Sequence, residues 1–194
     1  MKKSPDPPPA WSVLPRSKTG ARTEEELYFA VGYALSAWEL VEGGLAEIFA
    51  LFIGAREAGP PSSGHQPAIR AYASVISFNS RKEMVAAAAQ AYFYRAGKDE
   101  PLKSQFGSLI DEAGGHAGRR NDIAHGRVQL SPGDGFYLLP GLYNSKKNPI
   151  GQPPTYAYDA SQVHFYGEGF RILSQKLSDY AIFAAAWTPP KTSR

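Results

Sequence analysis

The sequence predicts a mainly α protein, an antiparallel four-helix bundle with a small β-hairpin inserted between the third and last long helices. Three observations lead there. Apolar residues recur every three or four positions over long stretches, the mark of a helix with one buried face. One stretch, 127–139, reads instead as two short strands around a glycine-rich turn. The connections are mostly short, which lets neighbouring helices run antiparallel. At 194 residues, with 43% apolar and 20% charged residues, the chain suits one globular domain with a substantial core.

The elements follow in order. Residues 1–22 are rich in proline and small polar residues and read as a flexible, mostly unpacked arm, with Trp11 and Leu14 able to dock on the body. The domain proper is expected over 23–187, with a tail over 188–194. Thr23 and Glu26 form a capping box, and Glu24 and Glu25 complement the positive helix start. From there Leu27, Val31, Leu35, Trp38, Val41, Leu45, Ile48 and Phe52 line one face of a first long helix. Gly54 and Gly59-Pro60-Pro61 end it. Gly43-Gly44 costs about 1 kcal/mol per glycine in propensity, but lets another helix come close.

A second helix is expected from Pro67 to Ala96, with Ile69, Tyr72, Val75 or Ile76, Met84, Val85 and the alanines 86–89 inward; Gly97 stops it. A third starts near Asp99 and carries Leu102, Phe106, Leu109 or Ile110, Ala113 and Ala117. Gly114-Gly115 and Gly118 weaken it, so its middle is kinked or closely packed. The hairpin follows, then a loop over 140–154 and a short third strand over 155–158. Asp159 or Ser161 caps a last helix that turns Val163, Phe170, Leu173, Leu177, Tyr180 and Phe183 inward before Pro189-Pro190.

Composition narrows the chemistry. The chain has no cysteine, which excludes disulfides, thiolate metal sites and cysteine catalysis, and agrees with a reducing cytoplasm, the expected location. The net charge of +3 is compatible with RNA or a nucleotide. No apolar run is long enough to span a membrane, and prolines after Met1-Lys2-Lys3 argue against a signal peptide. His65, His116 and His164 share no metal-ligand spacing and are expected on the surface or in loops. No metal or cofactor is expected.

The densest chemistry lies in Arg119-Arg120-Asn121-Asp122-Ile123-Ala124-His125-Gly126. It closes the third helix, with Gly126 as a left-handed C-cap. Asn121 and His125 are four apart and share a helical face. Arg120 can clamp a phosphate through paired hydrogen bonds, and His125 can carry a proton. The plainer alternatives are that His125 caps the helix end and that Arg120 pairs with Glu42, one turn after Trp38 on the first helix. Asp122 is expected to face solvent. Arg119 is a second phosphate contact or a solvated arginine. Lys146 and Lys147 mingle with Tyr137, Tyr143, Tyr156 and Tyr158, either to stack on bases or simply to pack the hairpin.

The run Arg120-Asn121, three residues, His125 resembles the signature of the HEPN superfamily, and the helix order around it over 23–187 is similar. The resemblance implies an all-helical homodimer. It implies a metal-independent endoribonuclease with Arg120, Asn121 and His125 catalytic, Arg119 and Arg127 on the substrate and Glu42 in support. Its product is a 2′,3′-cyclic phosphate. The alternative implied is a non-enzymatic RNA- or nucleotide-binding module or dimeric scaffold of a toxin–antitoxin or defence system. One toxin branch has tyrosine two positions after the histidine; here that position is Arg127, so its tyrosine chemistry is not expected.

Overall fold

A computed structural model of the chain describes residues 9–55, 64–96, 100–142, 144 and 146–186. The chain is mainly helical. Its elements run α1 (Glu24–Phe52), α2 (His65–Ser74), α3 (Phe78–Ala96), α4 (Glu100–Ala124), β1 (Gly126–Ser131), β2 (Gly135–Pro140) and α5 (Ala160–Ala186). It falls into two compact units, Met1–Ala37 with Gly115–Phe170, and Trp38–Gly114 with Arg171–Arg194.

Helix α1 starts where its cap signal places it. Glu26 N–H donates to Thr23 Oγ1, and the Glu26 carboxylate accepts from Arg22 N–H at 2.9 Å, one residue earlier than a standard capping box. It ends in a Schellman motif: Ala55 N–H reaches Ala50 O and Gly54 N–H reaches Leu51 O, with Gly54 at φ +75°. The run 59–61, offered as a further stop, lies outside the described residues, as does Gly97.

The single helix expected over 67–96 is two. Val75 is extended, and Ser77 caps α3 by accepting from Ser80 N–H. Arg81 then reaches back to the end of α2, donating to Val75 O at 2.6 Å and to Ala73 O. A serine cap without glycine or proline is a weak sequence signal, and the periodicity runs straight through it.

In the unit Trp38–Gly114 with Arg171–Arg194, the core gathers Leu45, Ile48, Phe52, Val85, Leu102, Phe106 and Tyr180. Phe52 is its aromatic hub, with ring contacts to Tyr92, Phe93, Phe106 and Tyr180. A Cβ on Gly44 would lie 2.9 Å from Leu177 Cβ, so this glycine does admit a close helix, whereas Gly43 faces open space. Phe183, expected inward, is exposed.

In the other unit the hairpin pairs Gly126 with Pro140 through Ser131 with Gly135, and Gly133 and Gly135 take positive φ in its turn. The third strand reduces to a single bridge, Tyr158 to Leu138. Residues 9–22 are tied down at more points than the mostly unpacked arm expected, and Trp11 and Leu14 do dock. Trp11 packs edge-on against His116, and Tyr166 OH accepts from Leu14 N–H and donates to Ser12 O. Arg16 lies over Tyr137 and pairs with Asp134, and Ala21 bridges Phe136. The prolines set an extended path, and the apolar and aromatic residues between them tie it down. Asp159 caps α5, accepting from Gln162 N–H at 2.8 Å. No described helix is long and apolar enough to cross a membrane.

Candidate functional site

The last turns of α4 carry the motif. Helix α4 ends at Ala124, and Gly126 opens β1 without taking positive φ. Its need for glycine is steric instead: a Cβ there would sit 2.7 Å from Leu138 Cγ and 2.9 Å from Asp122 O. The hairpin is thereby pressed onto the helix end.

Asn121 and His125 are exposed and open together into a cleft of about 480 Å³. Asp122, Gly141, Asn144, Lys147 and Tyr156 complete its wall. The His125 side chain has no hydrogen-bond partner among the described residues. Arg120 is not part of the wall. Its guanidinium donates to Asn121 Oδ1 at 3.1 Å, one exposed hydrogen bond from the cleft wall. The Nε atoms of Arg119, Arg120 and Arg127 are buried without a hydrogen-bond partner among the described residues.

Asp122 is buried, not solvent-facing as expected, because two cations hold it. Arg119 lies 2.9 Å from Oδ2 and also donates to Tyr158 OH at 2.7 Å; Lys147 Nζ bonds Oδ1 from the cleft side. Arg119 is therefore a largely buried structural cation here rather than a solvated one. Tyr156 OH donates to Asp122 O, and the Tyr156 and Tyr158 rings stack at 4.7 Å. Burial first, then the Asp122 carboxylate, pushes the Tyr156 hydroxyl well above the usual phenol range. Tyr158 is raised mainly by burial. The Tyr156 hydroxyl stays protonated, as its donated hydrogen bond requires, and burial keeps the Tyr158 hydroxyl protonated while it accepts from Arg119; both rings are buried against their neighbours. Tyr143 lies outside the described residues.

Glu42 does not meet Arg120. It is buried against Trp38 Nε1 at 3.2 Å, Tyr72 OH at 2.9 Å and Arg81 Nη1 at 3.1 Å. The cation facing it was invisible to spacing, since Arg81 reaches it only because the helix breaks before Ser77.

The other histidines divide. His164 is exposed and stacks on Tyr33 at 4.7 Å. His116 is buried beside Trp11 and Phe170, and His65 is buried with Nε2 3.4 Å from Glu47; both were expected outside. Small neighbours explain His116: Gly115 leaves room for the Trp11 ring, and Gly169 for the imidazole. Among the described residues, no group of three or more acidic, histidine or cysteine side chains could hold a metal.

No protein-family model, curated protein or solved structure matches this chain.

Proposed function

We propose that the chain is a HEPN-like endoribonuclease that cleaves RNA without a metal, in a homodimeric, antiparallel four-helix bundle working in the cytoplasm. One observation carries the reading: the His125 imidazole, exposed and unengaged, shares a polar cleft with Asn121, to which Arg120 is hydrogen-bonded. In the proposed step His125 takes the proton of an RNA 2′-hydroxyl. The 2′-oxygen attacks the adjacent phosphorus, the P–O5′ bond breaks, and the 5′-oxygen receives a proton. A second imidazole from the partner subunit supplies that proton. The products are a 2′,3′-cyclic phosphate and a 5′-hydroxyl. Arg120 stabilises the charge growing on the phosphoryl oxygens, and Asn121 holds its guanidinium in place. Arg127 adds positive potential near the scissile group.

Binding without turnover, as an RNA- or nucleotide-binding module or dimeric scaffold of a toxin–antitoxin or defence system, has one observation in its favour. Arg119, a candidate substrate contact, is committed to Asp122 and Tyr158.

The test is incubation of the purified chain with a mixed RNA pool in chelator across pH 5–9, with end-group analysis of the products. Wild type is expected to leave 2′,3′-cyclic ends, and His125→Ala to lose at least about a hundredfold in rate with unchanged circular dichroism. RNA bound but never cut would replace the nuclease by the binding module.

A further inference from the structure

From the wall of the same cleft we infer that Lys147 is its phosphate-binding cation, and that Asp122 is the resting counter-ion that positions it; this rests on the reading of the cleft as a nucleic-acid site. Two cations face one carboxylate: Arg119 meets Asp122 on Oδ2 and Lys147 meets it on Oδ1. Asp122 is thus neutralised from within the fold by Arg119, and the charge of Lys147 is in excess. That excess sits at the cleft, where the Lys147 side chain is 35% exposed against 14% for Arg119. Among the described residues lining the cleft, Lys147 is the sole lysine or arginine.

The backbone beneath it is fixed. Lys147 N–H donates to Asn144 O at 3.0 Å, and Thr155 N–H donates to Lys147 O at 2.9 Å. The peptide is held at both ends, and a flexible four-carbon stem joins it to the ammonium, which rests on Asp122 beside the Tyr156 ring. An incoming phosphodiester spreads one negative charge over two oxygens, as the Asp122 carboxylate does, so Lys147 can turn to it at little electrostatic cost and without leaving a bare carboxylate, because Arg119 stays. A neutral ligand offers no such exchange. The ligand class is therefore a phosphate ester, and within the proposed function it is a phosphate of the RNA strand beside the one His125 serves. Lys147 is a binding residue in this scheme, and Asp122 acts only through it.

Two probes test it: inorganic phosphate, and a 2′-O-methyl oligoribonucleotide that cannot be cleaved. Lys147→Met keeps the stem and removes the charge; Lys147→Arg restores the charge. Wild type is expected to bind the oligonucleotide about tenfold more tightly than Lys147→Met, with Lys147→Arg recovering most of the loss. The slope of log K against log salt should fall by about 0.7 in Lys147→Met, one phosphate's worth on a single strand. Phosphate should shift the His125 ring resonances in wild type and not in Lys147→Met. Equal affinity and equal salt slope in the two proteins overturn the inference, even if RNA is cut at His125. Lys147-dependent phosphate binding without cleavage keeps the inference and removes the nuclease.

Discussion

Two buried carboxylates, Glu42 and Asp122, are both paired with cations, yet the pairing differs in number and placement. Glu42 receives an indole N–H, a phenol O–H and a guanidinium, all from its own unit. Its cation is spoken for twice over, because Arg81 also holds the last carbonyls of α2. Asp122 instead has one inner cation and one outer, and the outer one lines a cleft. A carboxylate with a single, multiply bonded cation is a cross-link of the fold. A carboxylate with a surplus cation leaves charge available to a ligand. The number and placement of partners distinguishes the two clusters more clearly than burial does, since both acids are buried.

Removing the cation from each cluster sharpens this contrast. Arg81→Met strands Glu42 beside two neutral donors and frees the α2 carbonyls, so unfolding in urea should show a loss of about 3 kcal/mol, at the low end for breaking a buried pair because Arg81 is partly exposed. Lys147→Met leaves Asp122 with Arg119, so the same measurement should show about 1 kcal/mol or less. Equal losses would erase the distinction. Between these, Gly126→Ala should cost about 2 kcal/mol by driving a methyl group into Leu138 and Asp122 O, and should disturb the cleft without touching a charged atom.

An effect of similar size to that of Lys147→Met belongs to a third carboxylate, Asp159 at the start of α5. Burial raises its pKa, but hydrogen bonds from Ser161, Ser17 and backbone N–H groups outweigh that and hold it below the usual range. Its stabilisation is complete above the unfolded value of about 3.9. It disappears as pH falls through the lower folded value. Asp159→Ala should therefore cost about 1 kcal/mol at pH 7, and less and less as the solution is acidified below about pH 4. A difference that persists at pH 2 would show that the cap acts through packing rather than charge.

Much of the helix pattern is legible in the sequence because it rests on local signals. Thr23 and Glu26 mark the start of α1, Gly54 its end, and Asp159 the start of α5. The break at 75–77 escapes notice because it depends on Arg81 folding back over six residues. The candidate site is legible only where it is helical. Asn121 and His125 share a face by spacing alone, and they do share a cleft. Arg119 and Asp122 are also at pairing distance on a helix, three apart, and that spacing was the one available sign that Asp122 is engaged. Lys147 could not be placed, since a loop after a hairpin has no periodicity to fix it. The same limit hid the burial of His116, which depends on Trp11 arriving from the far end of the chain.

The docking of residues 9–22 has a consequence for the newly made chain. Leu14 bonds to a tyrosine 152 positions later, and Ala21 pairs with Phe136 along the outer edge of β2. Contacts so distant along the chain close late, after the entropy of a very large loop has been overcome. A polypeptide still emerging from the ribosome has its motif helix before it has Lys147 and Tyr156, and so carries His125 without those walls around it. A ligand of the cleft therefore meets a complete wall only after the chain has been made through Tyr156.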